Sequence, residues 1–317
     1  LDILLTGSVA YDYLMTFPGL FKEQILPERL ESISLSFLVE SMSRQRGGVA
    51  PNIAYSMALL GEHPHVMATV GEDFEEYRAW LEAKGVDTAL MKVVPGVYTA
   101  SFFATTDQVN AQIASFYPGA MGYASSQSLK DLPSKPDLVL VSPNDPRAMT
   151  KFAAEARELG VPYLYDPSQQ VLRLDGKELA RDMEGAQFLF CNDYEFGLIS
   201  KKTNWSLDQI LNHVNILVIT RGKDGADLYA DNGTVHIPTV PEREIVDPTG
   251  VGDSFRGGFL AGYSRGFDWK LCGEIGSLAA VYCLEQNGPQ SHTYTREEFV
   301  KRFREHFDDE GKLDSLL

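Results

Sequence analysis

Cysteine is scarce in this chain. There are three in 317 residues, Cys191, Cys272 and Cys283, without metal-ligand spacing and too few for a disulfide framework. Each lies in or beside an apolar or helical stretch and reads as a buried thiol, as expected of a cytoplasmic protein. Basic charge is also short. Against 44 Asp and Glu stand 28 Lys and Arg, a formal net charge of -16, which argues against nucleic acid and anionic membranes as partners. No apolar run reaches the length of a membrane span. Strand-like Ile3-Leu4-Leu5 comes almost first, so no signal peptide is expected. Two nucleotide signatures are missing as well. Gly176-Lys177, Gly222-Lys223 and Gly311-Lys312 all lack the following Ser or Thr of a P-loop, and no G-x-G-x-x-G follows the first strand.

What remains is ordinary folded composition, 44% hydrophobic and 23% charged, in a length that suits one large α/β domain with additions or two domains. Apolar segments suitable for strands recur at Ile3–Leu5, Val66–Val70, Leu138–Val141, Tyr163–Tyr165, Gln187–Cys191 and Ile216–Thr220. Helical patterns fall between them. One runs from Pro51 to Leu60 and stops at Gly61. Another follows Asp73, with Glu76 placed for a capping box, and ends before Gly85. A third starts at Asp145-Pro146 and stops at Gly160, and Thr295 with Glu298 caps a late one. Strands separated by helices predict a mostly parallel sheet covered on both faces. Two stretches break the rhythm, Tyr13 to Val39 and Val97 to Tyr117. They suit a small separate sheet over the carboxyl ends of the core strands, where such folds bind ligands.

Four segments carry the chemistry. In Asp247-Pro248-Thr249-Gly250-Val251-Gly252-Asp253, the glycines open a helix whose first N–H groups lack partners and whose dipole favours anions. Gly250, Val251 and Gly252 would bind the charge of a transferred phosphoryl group, and Asp253 would accept a hydroxyl proton. A plain helix cap is the competing reading of Asp253. Gly7-Ser8, Asp12 and Gly47-Gly48 to Asn52 suit sugar hydroxyls, or ordinary turns. Asn192-Asp193-Tyr194-Glu195 follows a strand. Glu195 there would hold Mg²⁺ through water, or Asn192 or Asp193 would simply cap a helix. Thr220-Arg221-Gly222-Lys223-Asp224-Gly225 is a glycine turn between strands.

In this order, over nearly the whole chain, these segments resemble the PfkB, or ribokinase-like, family of sugar and nucleoside kinases. The D-x-T-G-x-G-D run is the most specific element. Within the family the chain resembles bacterial adenosine kinases of the actinobacterial type, through Leu35-Ser36-Phe37-Leu38-Val39, Arg46 to Ala50, Gln112 to Met121, Asp166-Pro167-Ser168-Gln169-Gln170 and Asn192 to Glu195. The resemblance implies a ribokinase-like three-layer α/β/α core (1-12, 40-96 and 118-317) and a β-sheet lid (13-39 and 97-117). It implies transfer from ATP to the 5′-hydroxyl of a nucleoside, adenosine first, with Asp253 as base and Gly250 to Gly252 as anion hole. Asp12, Gly48 and Asn52 would hold ribose, with Ser8, Ser36, Phe102, Phe116, Gln169 and Gln170 around base and sugar. Phe102 and Phe116 would stack on a purine, which favours a nucleoside over a bare sugar. Asn192 and Glu195 would organise phosphate and Mg²⁺. Thr220, Gly222, Gly225 and Asn287 would line the ATP side. A homodimer through the lid and a monovalent cation such as K⁺ near Asp247 follow from the same resemblance. Pro51 departs from the small residue that relatives often carry there, and it is tolerated in a first helical turn. A ribokinase or other sugar kinase remains the alternative, and beyond it a nucleoside-binding protein without catalysis.

Overall fold

Strand–helix alternation dictates the architecture seen in the computed structural model, which describes residues 1–26, 31, 34–231 and 233–317. The strands are β1 (Ile3–Thr6), β2 (Ala10–Thr16), β3 (Ser41–Gly47), β4 (His65–Val70), β5 (Met91–Val93), β6 (Ala100–Thr106), β7 (Gln112–Tyr117), β8 (Leu138–Val141), β9 (Tyr163–Tyr165), β10 (Ala186–Asn192), β11 (Val214–Thr220), β12 (Ala226–Ala230) and β13 (Gly233–Ile237). The helices are α1 (Phe21–Gln24), α2 (Val49–Leu59), α3 (Glu75–Ala83), α4 (Pro146–Leu159), α5 (Gly176–Met183), α6 (Asp193–Thr203), α7 (Leu207–Leu211), α8 (Val251–Ser264), α9 (Trp269–Leu284) and α10 (Arg296–Arg304).

The larger sheet has the order β13-β12-β11-β10-β9-β8-β1-β4-β5. It is parallel from β11 through β5, and β12 and β13 add antiparallel at one edge. Its central strands are apolar on both faces because both are covered. Ile3, Leu5, Leu138, Leu140, Phe188 and Phe190 face Ile53 and Met57 of α2 and Phe259 of α8. The alternate residues Leu4, Val139, Val141, Leu189 and Cys191 face Phe152 of α4, Leu179 of α5 and Ile199 of α6. Three layers result, and all three cysteines are buried in them. No helix among the described residues is long and apolar enough to cross a membrane.

Local signals hold at most of the expected ends. Asp145 accepts from the Arg147 N–H, and Gly160 closes α4 in the left-handed region. Thr295 and Glu298 form their reciprocal capping box. Asp73 is an exception. The residue before α3 is Phe74, without a side-chain cap. The Asp73 carboxylate instead accepts from the N–H and the hydroxyl of Thr99, both at 2.8 Å. Glu76 turns outward to Arg44 and Arg46. Tertiary partners outcompete the local cap.

A second sheet has the order β3-β2-β6-β7. It starts at Ala10, earlier than the expected 13, and it recruits Ser41–Gly47, which the sequence reading left in the core. That strand reads SMSRQRG and is exposed or half-buried except at Gly47, so it carries no apolar alternation to announce it. Part of the first insert (residues 27–30, 32 and 33) and Asn232 lie outside the described residues. β3 is tied down at several points. Arg44 and Arg46 reach Glu76 on α3 at 2.5 and 3.2 Å, and Gln45 Nε2 donates to Asn287 Oδ1 at 3.0 Å. Asp107 organises the other hairpin by accepting from the N–H groups of Phe21, Val109 and Ala111.

Helices α8 and α9 touch backbone to backbone. A Cβ at Gly258 would lie 2.8 Å from Gly276 Cα and 2.8 Å from the Ile275 carbonyl oxygen. Gly258→Ala should therefore cost about 1–3 kcal/mol through overpacking, read as a lower denaturation midpoint. An unchanged midpoint would mean the helices separate freely.

Candidate active site

The carboxyl ends of the core strands and the underside of the small sheet enclose a cavity of about 510 Å³. Ser8 follows β1, Pro143 follows β8, and Ser168, Gln169 and Gln170 follow β9. Asp12 enters from β2, Phe102 from β6 and Phe116 from β7. Gly48, Val49 and Asn52 bring the start of α2, and Thr249 and Asp253 the start of α8. Phe102 and Phe116 are direct cross-strand neighbours, so two rings face the cavity from one patch of the small sheet.

Of the residues expected to touch the acceptor, Ser8, Asp12, Gly48, Asn52, Phe102, Phe116, Gln169 and Gln170 all line this cavity; Ser36 does not. Ser36 is exposed, while its neighbour Phe37 packs edge-on to Phe17 and Phe21, with centroids 5.1 and 5.0 Å away. Sequence reading did not single out Met121, Pro143, Ser168, Arg173 and Thr249, which also line it.

The helix that bears Asp253 begins at Gly250, whose φ is 79°. A Cβ there would sit 2.3 Å from Pro289 Cβ, so glycine alone suits the position in conformation and in space. Ser254 is the first residue whose N–H bonds back firmly, to the Gly250 carbonyl at 2.9 Å. The earlier amides of this turn remain at the positive end of the helix, suited to an anion. Asp253 is half-buried, and its Oδ2 accepts from Asn52 Nδ2 at 2.8 Å. Burial pushes its carboxyl up to about 7; Arg256 and the Asn52 hydrogen bond oppose the rise, and Asp166 and Glu195 add to it. Burial, then the charge of Asp247, raises Asp12 to about 6.

Beneath the turn lies a buried ion pair absent from the expected set. Arg256 Nε is 2.5 Å from Asp166 Oδ2, and its Nη2 donates to Asp166 Oδ1 at 3.0 Å. Nη1 of the same guanidinium donates to the Gly252 carbonyl at 2.9 Å. Asp166 Oδ1 also accepts from the Ser168 N–H at 3.1 Å. One Arg thus binds the glycine turn to the loop after β9. Its spacing of three residues from Asp253 was the available signal, since i and i+3 share a helix face.

Asn192 and Glu195 form a reciprocal capping box, with Glu195 Oε2 accepting from the Asn192 N–H at 2.8 Å and Asn192 Oδ1 accepting from the Glu195 N–H at 2.7 Å. The local cap is therefore real. Burial raises the Glu195 carboxyl first, and Asp166 raises it further, which brings it into the same electrostatic neighbourhood as Asp253. Glu195 Oε1 has no hydrogen-bond partner among the described residues. That suits a hydrated Mg²⁺, which takes few carboxylates and keeps its waters. No group of three or more His, Cys, Asp or Glu side chains among the described residues makes an all-protein metal cage. Asp247 uses both oxygens on backbone, accepting from the N–H groups of Thr249 at 2.8 Å and Gly288 at 3.0 Å. Thr220 ends β11, Gly222 and Gly225 form the turn into β12, and Asn287 is exposed beside Gln45. None of these four lines the cavity.

Comparison with known proteins gives the family. A nucleoside kinase of Methanothermobacter thermautotrophicus is 32% identical over 306 residues, covering 95% of each chain. The structure of a Burkholderia thailandensis nucleoside kinase in complex with inosine superposes with a TM-score of 0.85 at 39% identity, covering 96% of this chain and 98% of that one. The same enzyme in complex with ADP-inosine gives 0.84 at 40% identity and 96% of both chains. The pfkB family carbohydrate kinase model matches residues 6–296. With its ribokinase-like fold, the chain belongs to the pfkB family of carbohydrate kinases and is a phosphotransferase.

Proposed function

We propose that this enzyme transfers the terminal phosphoryl group of ATP to the 5′-hydroxyl of a purine nucleoside, with adenosine, giving AMP, as the first acceptor to test. One observation carries the reading. Asp253, its carboxyl raised to about 7 at the start of α8, lines one cavity with the Phe102–Phe116 pair of the small sheet. A carboxyl of that kind suits a general base working near pH 7. Two rings suit the face of a nucleobase, and a bare sugar has no such face. The inosine held by the B. thailandensis enzyme supports the nucleoside reading and adds inosine to the test.

In this reading Asp253 takes the proton of the 5′-hydroxyl as its oxygen attacks phosphorus and the bond to the nucleoside diphosphate breaks. The amides of Gly250, Val251 and Gly252 stabilise the oxygens of the group in flight. Arg256 supports them indirectly by fixing the Gly252 carbonyl. Asp12, Gly48 and Asn52 orient ribose, and Ser8, Gln169 and Gln170 line the remaining wall. Asn192, Thr220, Gly222, Gly225 and Asn287 form the ATP side. Mg²⁺ would neutralise phosphate charge, with Glu195 holding one of its waters. A monovalent cation beside the Asp247 loop completes the proposal. The β2-β3-β6-β7 sheet acts as a lid that excludes water, which would otherwise compete as acceptor.

A panel of adenosine, inosine, ribose and fructose 6-phosphate, each with ATP and Mg²⁺ and read by ADP release, tests the substrate class. Nucleosides should give the highest kcat/KM. Preference for ribose or the sugar phosphate would replace this reading with the sugar-kinase one.

Asp253→Asn should lower kcat by about 10²–10⁴-fold, the usual worth of a general base, and still bind nucleoside by calorimetry. The folded carboxyl titrates above its ordinary value, so its ionised form costs stability above that value. The variant should accordingly match or exceed the wild-type Tm at pH 8. Near-normal turnover would remove Asp253 from the chemistry.

Every residue of β7 is exposed, among them Ile113, Phe116 and Tyr117. An apolar strand edge of this kind is commonly covered. A second copy of this chain is the partner proposed for the lid, and sedimentation at micromolar concentration should report a dimer; a monomer at all concentrations would remove it.

A further inference from the structure

A buried chain of side-chain hydrogen bonds ends on Asp253, and the reaction described above makes no use of its far members. Gln290 is 7% exposed and follows Pro289, which packs on Gly250. Its Nε2 donates to Asn52 Oδ1 at 2.7 Å and to the Tyr77 hydroxyl oxygen at 2.5 Å. The Tyr77 hydroxyl donates in turn to the Gly47 carbonyl at 3.0 Å, and Asn52 Nδ2 donates to Asp253 Oδ2. An amide nitrogen has two hydrogens and a phenol one. The two hydrogens of Gln290 and the single one of Tyr77 are committed, so the direction of every link is determined. Gln290 Oε1 is buried without a partner. The fold bears that cost, which marks the nitrogen as the end of this amide that matters.

We infer that Gln290 is a positioning residue for the base. By donating to the Asn52 carbonyl, it keeps the Asn52 amide turned with its NH₂ toward Asp253. By donating to Tyr77, it joins that arrangement to Gly47, where lid strand β3 runs into α2. This rests on the reading of Asp253 as general base. The hydrogen bond from Asn52 favours the ionised carboxylate. The other groups that bear on Asp253 are Arg256, Asp166 and Glu195, with the Cys283 thiol on α9. None of them is hydrogen-bonded to the Gln290 side chain, whose partners are Asn52 and Tyr77.

The test is the pH dependence of kcat/KM for the nucleoside at saturating ATP. In the wild type, the acid limb should lie near pH 7, falling as Asp253 protonates. Gln290→Glu places a carboxylate oxygen against Asn52 Oδ1, so the amide turns over and presents its carbonyl to the base. The acid limb should move up by about one pH unit, the scale of one hydrogen bond to a charged group. Gln290→Met removes the donor without adding charge and should shift the limb the same way by less; it carries the test if Gln290→Glu fails to fold. Tyr77→Phe leaves the Gln290–Asn52 bond intact. It should keep the wild-type limb and raise the nucleoside KM as Gly47 loses its partner. An unshifted limb in both folded Gln290 variants overturns the inference. A Tyr77→Phe limb shifted as far as that of Gln290→Met overturns its directional form. Asp253→Asn in the same assay separates the two layers. If it retains turnover, the base reading itself fails; if it is inactive while the Gln290 variants are unshifted, only the positioning role fails.

Discussion

One buried ion pair organises both halves of this site. Arg256 and Asp166 are fully or nearly excluded from solvent, and each has a second task. Arg256 grips the Gly252 carbonyl, and Asp166 grips the Ser168 N–H in the loop after β9. The glycine turn that starts α8 and the loop after β9 are thus referenced to one guanidinium. Such a pair is weak evidence for stability, because burying two charges costs about as much as their attraction returns. It is better evidence for geometry. The fork of Arg admits one planar arrangement with a carboxylate, and that planarity is passed to the turn above it.

The same burial sets the acid–base behaviour. Burial lifts the Asp253 carboxyl to about 7, Arg256 and Asn52 oppose the rise, and Asp166 and Glu195 add to it. Burial alone would drive Arg256 toward deprotonation, but its acidic neighbours more than offset this and it stays charged. The charged groups that tune this carboxyl, Arg256, Asp166 and Glu195, do not themselves line the cavity.

Much of this was legible in the sequence where local physics decides. The all-apolar β8 and the Asp145–Gly160 pair bracketing α4 follow from covered strands and from cap chemistry. The glycines at 250 and 252 announced the helix start at Val251. Strand β3 was hidden because it is a partly exposed lid strand with arginines directed at a helix of the core, and nothing in SMSRQRG alternates. Asp73 had the spacing of a cap but found a better partner 26 residues on, in Thr99. Ser36 was expected at the acceptor, but the structure leaves it exposed next to an aromatic cluster. Gln290 and Tyr77 lie 213 residues apart, and no periodicity or spacing announces a bond that only the folded chain creates.

The glycine-on-glycine seam between α8 and α9 has a mechanical corollary. With their backbones in contact at Gly258 and Gly276, the two helices have little freedom to slide or roll, and the turn that starts α8 stands in effect on a fixed anvil. Any change of volume around the reactants must then come from the thin, mostly solvated sheet opposite. On the reading proposed above, the enzyme would work as a one-sided jaw, with the stiffness of that sheet governing entry and release more than the chemistry.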